Sequence, residues 1–197
     1  MLLIRYFCTY MTNAAIFASG EGTNAENIIN YFTKDPRIKI KLVFTNKAEA
    51  GVIARAEKHK KNVQIFSKDS LENKTGQIIE FLRAEKIDLI ILAGFLLKIP
   101  EALVKAFPDK IINIHPALLP KYGGKGMYGM NVHKAVIDNK ETESGITIHF
   151  VNEEYDKGKI ILQEKCSVDA NDTAESLAKK IHALEYTYFP KAIEKLL

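Results

Sequence analysis

Short apolar runs alternate with amphipathic stretches from Ala14 onward. The runs are rich in β-branched residues and the stretches carry apolar side chains at helical spacing, so the pattern predicts strands and helices in turn. Such alternation is typical of βα units on a mainly parallel sheet. The predicted strands are AIFAS, IKIKLVFTN, VQIF, DLIILA and IINI. The predicted helices span Asn24 to Phe32, Gly51 to Lys60, Gln77 to Glu85 and Glu101 to Ala106.

The pattern changes in the C-terminal half. Two further predicted strands, GITIHFV and KIILQEKCSV, are separated only by the polar segment NEEYDKG, which suits an antiparallel pair. A last amphipathic helix begins near Thr173, and Pro190 is expected to kink or interrupt it because proline lacks a backbone N–H. The predicted fold is therefore α/β and Rossmann-like: a mixed, mainly parallel sheet flanked by helices, with an antiparallel strand pair in the C-terminal half.

The composition is that of an ordinary globular protein. The 197 residues suffice for one sizeable core, and the hydrophobic share of 47% and charged share of 26% are near average. No repeat or linker marks an internal boundary, so we expect a single domain over residues 11–197. Residues 1–10 lack a complete signal-peptide pattern. They are interpreted as an N-terminal extension ahead of an alternative start at Met11.

Charge, hydropathy and cysteine content limit the kinds of ligand and partner that we expect. The formal net charge of +4 is spread over short segments, so no basic run is present to follow a nucleic-acid backbone, although the excess favours anionic small molecules. No stretch reaches the roughly 20 apolar residues that span a bilayer. Cys8 and Cys166 match no disulfide or metal spacing. We expect free thiols, a cytoplasmic location, no metal, no nucleic-acid or membrane partner, and a monomer or homodimer.

A glycine-containing loop follows the first predicted strand in ASGEGTNAENII. Because a helix opens at Asn24, backbone N–H groups and the helix dipole converge there and favour an anion. An equally weighted alternative is that Gly20 and Gly22 only form a tight turn. The loop is not a dinucleotide fingerprint, since the third glycine is missing and Thr45 and Asn46 replace the expected acidic residue.

The run INIHPALLPKYGGKGMYG contains the most informative polar residues. Asn113 and His115 alternate on a predicted strand, so both side chains lie on one face. Acyl transfer to an amine needs a donor for the carbonyl oxygen and a group of near-neutral pKa, which an amide and an imidazole supply. A structural role is the alternative for a lone histidine. Asp156, in the turn after GITIHFV, would favour the protonated form of His115 if it lies nearby.

The segment NIHPALLP, followed by Asp156, resembles the catalytic signature of the folate-dependent formyltransferases. The segments ASGEGTN and LAGFLLKIP are similar to those of the glycinamide ribonucleotide branch of that family. The resemblance runs from about Ala14 to the C-terminus in the family's order. It implies the formyltransferase variant of the Rossmann-like fold. It also implies 10-formyltetrahydrofolate as co-substrate and 5-phosphoribosylglycinamide as acceptor, in purine biosynthesis.

The resemblance also implies roles for individual residues. Asn113 would bind the formyl oxygen, His115 would donate a proton, and Asp156 would raise the pKa of His115 and relay the proton through water. Glu185 would contact the glycinamide. Gly22, Thr23 and Asn24 would hold the substrate phosphate. The folate pocket would be lined by Phe95, Leu96, Leu97 and Lys98, together with Asn113.

The chain departs from the family pattern at several positions. Leu96 and Leu97 stand where many relatives carry Met-Arg, and Asn131 replaces the first histidine of a His-x-His pair in a longer loop. His133 is therefore interpreted as structural. His149 and His182 receive no role.

Four other interpretations share some of these sequence features. Methionyl-tRNA formyltransferases carry an added C-terminal domain, and formyltetrahydrofolate deformylases carry an N-terminal regulatory domain and use water as acceptor; we expect the chain to have room for neither. A formyltetrahydrofolate hydrolase-like enzyme stays an alternative. So does a non-catalytic nucleotide-binding module, which would leave Asn113, His115 and Asp156 unexplained.

Overall fold

A seven-stranded mixed sheet forms the centre of the molecule. The computed structural model describes residues 11–197; the predicted extension at residues 1–10, with Cys8, lies outside the described residues. The sheet order is β3-β2-β1-β4-β5-β6-β7. The strands are β1 (Thr12–Phe17), β2 (Ile38–Thr45), β3 (Asn62–Ile65), β4 (Leu89–Leu92), β5 (Ile111–His115), β6 (Glu143–Phe150) and β7 (Ile160–Ser167). The first five are mutually parallel, and β6 and β7 are antiparallel additions, as predicted.

Helices cover both faces of the sheet. They are α1 (Thr23–Tyr31), α2 (Val52–Lys58), α3 (Lys68–Asn73), α4 (Thr75–Ala84), α5 (Glu101–Ala106), α6 (Met130–Asp138) and α7 (Ala174–Glu194). Alternate residues of β1 belong to two hydrophobic cores on opposite faces of the sheet. Ala14 and Ile16 pack with α1, α2, α6 and α7. Ala15 and Phe17 pack with α3, α4 and α5. The period-two alternation of a strand accounts for this division.

The strand order creates a crevice beside β1. From β1 the chain passes through α1 to β2 on one side, and it later returns through α4 to β4 on the other side. The carboxyl ends of β1, β4 and β5 therefore lie next to one another, at the point where the connections diverge. In open α/β sheets ligands bind at this position.

Most predicted elements are confirmed to within a few residues. The largest shift is in β1, which runs from Thr12 to Phe17 and not over AIFAS. Helix α3 has no counterpart among the predicted elements. It is a short helix that begins after Ser67, whose hydroxyl accepts a hydrogen bond from the N–H of Ser70 at 3.0 Å.

Pro190 was expected to kink or interrupt the last helix, and of these two outcomes the interruption is wrong. Helix α7 runs on to Glu194 with Pro190 inside it. Proline has no N–H for the carbonyl of Tyr186, four residues earlier, and that carbonyl instead accepts a hydrogen bond from Nδ2 of Asn27 at 2.8 Å. A side chain of α1 thus satisfies the acceptor that the proline leaves free.

This arrangement predicts a coupling between Asn27 and Pro190. Replacing Asn27 with Ala should lower the free energy of unfolding by about 1 kcal/mol, the usual net value of one hydrogen bond. In a Pro190→Ala background the loss should be smaller, because residue 190 then supplies the missing N–H. Urea unfolding of both single variants and the double variant measures this difference. Asn30→Ala, an exposed asparagine on the same helix, is the control; equal losses in both backgrounds would contradict the coupling.

Candidate active site

One cleft lies at the carboxyl ends of β1, β4 and β5, with a volume of about 460 Å³. The structure brings every sequence-predicted site residue to its lining. The glycine loop enters from β1, the segment after β4 forms a second side, and β5 delivers a polar pair. The turn after β6 and the middle of α7 complete the enclosure. The lining residues singled out by the sequence are Gly22, Thr23, Asn24, Phe95, Leu96, Leu97, Lys98, Asn113, His115, Asp156 and Glu185.

Asn113, His115 and Asp156 form a compact polar cluster. Asn113 and His115 project from the same face of β5, as strand alternation requires. The Nδ1 atom of His115 lies 3.7 Å from Oδ2 of Asp156. A single water can span that separation, so the carboxylate is placed to act on the imidazole directly or through water.

Both ring nitrogens of His115 face acceptors. Its Nε2 lies 2.7 Å from the carbonyl oxygen of Tyr122, so Nε2 carries a proton, and its Nδ1 faces Asp156. This arrangement suits the imidazolium. Burial nevertheless lowers the pKa of His115 below its ordinary value and outweighs the opposite effects of Asp156 and the Tyr122 carbonyl. The expected upward influence of Asp156 is present, but the net direction is downward.

Asp156 is held by the loop that follows β5. The N–H of Gly124 donates to Oδ2 of Asp156 at 2.8 Å. The backbone at Asp156 is left-handed, with φ of 54°, a conformation that aspartate tolerates better than most residues. Burial favours the neutral acid, but the contacts with His149, Gly124 and His115 prevail and lower the pKa of Asp156. The side chain is therefore an anion at neutral pH.

His149 belongs to the same cluster and was assigned no role from the sequence. Its Nδ1 lies 2.8 Å from the carbonyl of Phe150, so that nitrogen carries the proton in the neutral ring. In that neutral ring Nε2 accepts a hydrogen bond from Nδ2 of Asn113 at 3.2 Å, and when the ring is protonated Nε2 can donate to Oδ1 of Asp156, 3.6 Å away. One amide hydrogen of Asn113 is thereby fixed, and the second remains for a ligand oxygen. The cross-strand pairing of Asn113 with His149 creates this contact.

The glycine loop has the geometry of an anion site. Gly22 precedes α1 with φ of 74°, and a Cβ at this position would lie 2.5 Å from Cβ of Val52, so only glycine fits. The first N–H groups of α1 open toward the cleft with no side-chain cap. These groups and the positive end of the helix dipole can bind a phosphate.

Asn24 joins this loop to the last helix. Its Nδ2 donates to Oε2 of Glu185 at 2.8 Å, while its buried Oδ1 has no partner among the described residues. Glu185 is buried, and burial raises its pKa despite the bond from Asn24. The side chain of Asn24 is thus committed to the carboxyl that the sequence assigned to the glycinamide. What remains of Asn24 for a phosphate is its backbone N–H.

The segment after β4 forms the apolar side of the cleft. The ring of Phe95 packs into the core, edge-on to Phe17 at 5.4 Å, so its contribution to the cleft is small. Leu96 is 46% exposed, and its N–H donates to Oγ of Ser19 at 3.0 Å. The ammonium of Lys98 lies over the ring of Tyr155, 5.3 Å from its centroid.

The remaining cleft histidines differ in environment. His133 is buried on α6, its Nδ1 has no partner among the described residues, and burial lowers its pKa to about 4. His182 is exposed on α7 and stacks on Tyr186. Over residues 11–197 the structure contains no cluster of histidine, cysteine and acidic side chains suited to a metal ion. In the same part of the chain no helix is both long and apolar enough to cross a membrane.

The chain is similar to known proteins over most of its length. Phosphoribosylglycinamide formyltransferase of Bacillus subtilis is 38% identical over 95% of both chains. The chloroplastic enzyme of the same name from Arabidopsis thaliana is 42% identical over 91% of this chain, which spans only 63% of that relative. The crystal structure of glycinamide ribonucleotide transformylase 1 from Geobacillus kaustophilus superimposes with a TM-score of 0.87 at 31% identity, covering 95% of this chain and all of that one.

The model of one protein family, described as formyl transferase, matches residues 12–193. The matched region contains the whole sheet and all the residues that line the cleft. The chain belongs to the formyl transferase family.

Proposed function

We propose that the protein transfers the formyl group of 10-formyltetrahydrofolate to the amine of 5-phosphoribosylglycinamide. The products are the N-formyl compound and tetrahydrofolate, and the reaction belongs to de novo purine biosynthesis. The observation that carries the proposal is the meeting of Asn113, His115 and Asp156 in one cleft with an anion-binding loop. The names of the relatives support the same acceptor and the transfer of a formyl group.

The acceptor is proposed to lie between the glycine loop and α7. Its phosphate binds the N–H groups of Gly22, Thr23 and Asn24, where the helix dipole adds a favourable potential. Its glycinamide end then extends toward Glu185, whose buried carboxyl is an acceptor for amine and amide N–H groups. The bond from Asn24 to Glu185 keeps these two contacts at a fixed separation.

The donor is proposed to lie along the segment after β4. Leu96 and Leu97 offer apolar surface, and Phe95 supports them from the core. Lys98 adds a cation at the same side of the cleft, suited to an anionic folate. The formyl group would then reach Asn113.

In the proposed reaction the acceptor amine attacks the formyl carbon, and the bond from that carbon to the folate nitrogen breaks. The free N–H of Asn113 stabilises the negative charge that develops on the formyl oxygen. His115 donates a proton, and the Asp156 carboxylate stabilises its imidazolium form. The amine loses one proton and the folate nitrogen gains one, so the cluster needs only to move a proton. No covalent bond to the enzyme is required.

The cellular setting is part of the same proposal. Cysteines without disulfide spacing favour a reducing compartment, and we propose the cytoplasm. For the oligomeric state we propose a monomer or a homodimer.

Formyl transfer by the purified protein tests the function directly. We expect tetrahydrofolate to form from 10-formyltetrahydrofolate only when 5-phosphoribosylglycinamide is present. Replacing His115 with Ala should lower kcat by about a hundredfold or more, the range of general acid–base catalysis, with the fold intact by circular dichroism. His59→Ala, a histidine outside the cleft, should stay within about twofold of the parent.

Other outcomes of this assay would indicate a different function. Formate release without the acceptor would indicate a hydrolase, and binding of both ligands without turnover would indicate a binding module. Near-normal turnover by the His115→Ala variant would remove that residue from the mechanism.

The electrostatic role of Asp156 predicts a change in the titration of His115. The carboxylate raises the pKa of His115, so Asp156→Asn should move that pKa further below its ordinary value. The midpoint is read from the pH dependence of the His115 ring signal in two-dimensional NMR. Glu153→Gln, in the same turn, should leave the midpoint unchanged; an upward or absent shift in the Asp156→Asn variant would contradict the role.

The buried carboxyl of Glu185 predicts a conflict between stability and activity. The pKa of Glu185 is raised in the folded state, so folding favours the neutral acid. The free energy of unfolding therefore falls as the pH rises from the ordinary pKa of a glutamate through the raised pKa of Glu185. Glu185→Gln keeps an acceptor for Asn24 and should stabilise the protein more at pH 8 than at pH 4, while kcat/KM falls about tenfold or more. Urea unfolding at both pH values gives the difference. The exposed Glu57→Gln is the control, and a pH-independent effect would refute the explanation.

A further inference from the structure

Arg55, on α2, lies outside the cleft lining but contacts the glycine loop from behind. Its Nε donates to the carbonyl oxygen of Glu21 at 2.8 Å, and its Nη1 is paired with the carboxylate of Glu26 on α1. The same carboxylate also binds Lys58 at 3.0 Å. The guanidinium therefore bridges the loop and the first helix.

Helix α2 holds two successive loop carbonyls. The N–H of Val52 donates to the carbonyl of Gly20 at 3.1 Å, and Arg55 holds the carbonyl of Glu21. The backbone packs tightly at this contact, because the Cα of Gly22 lies directly against Val52. Both carbonyls of the loop thus point toward α2.

The N–H groups of Glu21 and Gly22 lie on the sides of these two peptides that face away from α2. In a planar trans peptide the C=O and the following N–H point in opposite directions. With the carbonyls of Gly20 and Glu21 turned to α2, the N–H groups of Glu21 and Gly22 are turned away from it. Neither N–H has an acceptor within the described part of the chain, and both residues line the cleft.

Only one of the two peptides depends on a side chain. The carbonyl of Gly20 is bound by backbone, whereas that of Glu21 is bound by Arg55. The second residue of the Glu21–Gly22 peptide is a glycine, whose wide conformational freedom permits the peptide plane to rotate. A rotated peptide would present a carbonyl oxygen to the cleft in place of an N–H, which repels an anion.

We propose that Arg55 is a positioning residue for the acceptor phosphate: by holding the Glu21 carbonyl, it keeps the Gly22 N–H directed at the phosphate without touching the substrate. The inference rests on the proposed function for the identity of the acceptor. Arg55 would thereby make binding selective for the phosphorylated acceptor. The part of the acceptor beyond the phosphate does not depend on Arg55.

The test compares two acceptors, 5-phosphoribosylglycinamide and its dephosphorylated riboside. Arg55→Met keeps an apolar stem of similar length and removes the donor. We expect kcat/KM for the phosphorylated acceptor to fall about tenfold or more, as for loss of one hydrogen bond to a charged group. The value for the riboside should change less than about twofold, and the KM for 10-formyltetrahydrofolate should not change.

Matched variants separate positioning from general stability. Lys58→Met removes another cation from Glu26 without touching the loop, and it should leave the ratio between the two acceptors unchanged. Arg55→Lys keeps the charge but lacks the planar fork that serves two acceptors, so it should show the same selective loss at smaller size. If Arg55→Met does not fold, Arg55→Lys is used to compare the two acceptors.

Equilibrium binding of ribose 5-phosphate and ribose, measured by calorimetry, gives a readout that needs no turnover. Loss of ribose 5-phosphate affinity in Arg55→Met, without catalysis by the parent protein, would reject the proposed function and keep the role of Arg55. An unchanged acceptor ratio and unchanged affinity in an active enzyme would reject the role of Arg55 alone. Equal losses for both acceptors, or a phosphate-selective loss in Lys58→Met, would also overturn it.

Discussion

The site depends on one constraint: three parallel strands, β1, β4 and β5, end side by side at the point where the chain connections diverge. Each strand is largely buried and paired on both sides, so the residue that follows it leaves the sheet at a defined place. The glycine loop, the apolar segment after β4 and the polar pair of β5 thereby meet without long connecting loops. The antiparallel strand β6 then adds His149 opposite Asn113 through backbone pairing alone.

Burial and charge oppose each other throughout the cleft. His115 is buried deeply enough to lower its pKa even though both ring nitrogens face acceptors. Glu185 shows the same conflict with the opposite sign of charge, since burial raises its pKa. Asp156 is the exception, because the Gly124 N–H and two histidines outweigh its burial. pKa values shifted by burial and by specific charged neighbours are typical of catalytic sites.

Patterns of period two and short motifs allowed most of the sheet, and the placing of Asn113 and His115 on one strand face, to be predicted. Asn113 and His115 follow from strand alternation, and Asp156 from family resemblance, since nothing local distinguishes it from any turn aspartate. His149 could not be assigned, because its contact with Asn113 depends on the register between two strands far apart in the chain. The direction of the His115 pKa depends on burial, which no motif encodes. The continuation of α7 through Pro190 depends on a side chain from α1.

The contact between Asn27 and the Tyr186 carbonyl has a wider consequence. One turn earlier on α1, Asn24 binds Glu185, so adjacent residues of α7 are tied to adjacent turns of α1. The contacts between these two helices consequently set the distance between the glycine loop and the buried carboxyl of Glu185. Under the proposed function, a fixed spacing of this kind favours acceptors whose phosphate and amine are separated by one matching distance.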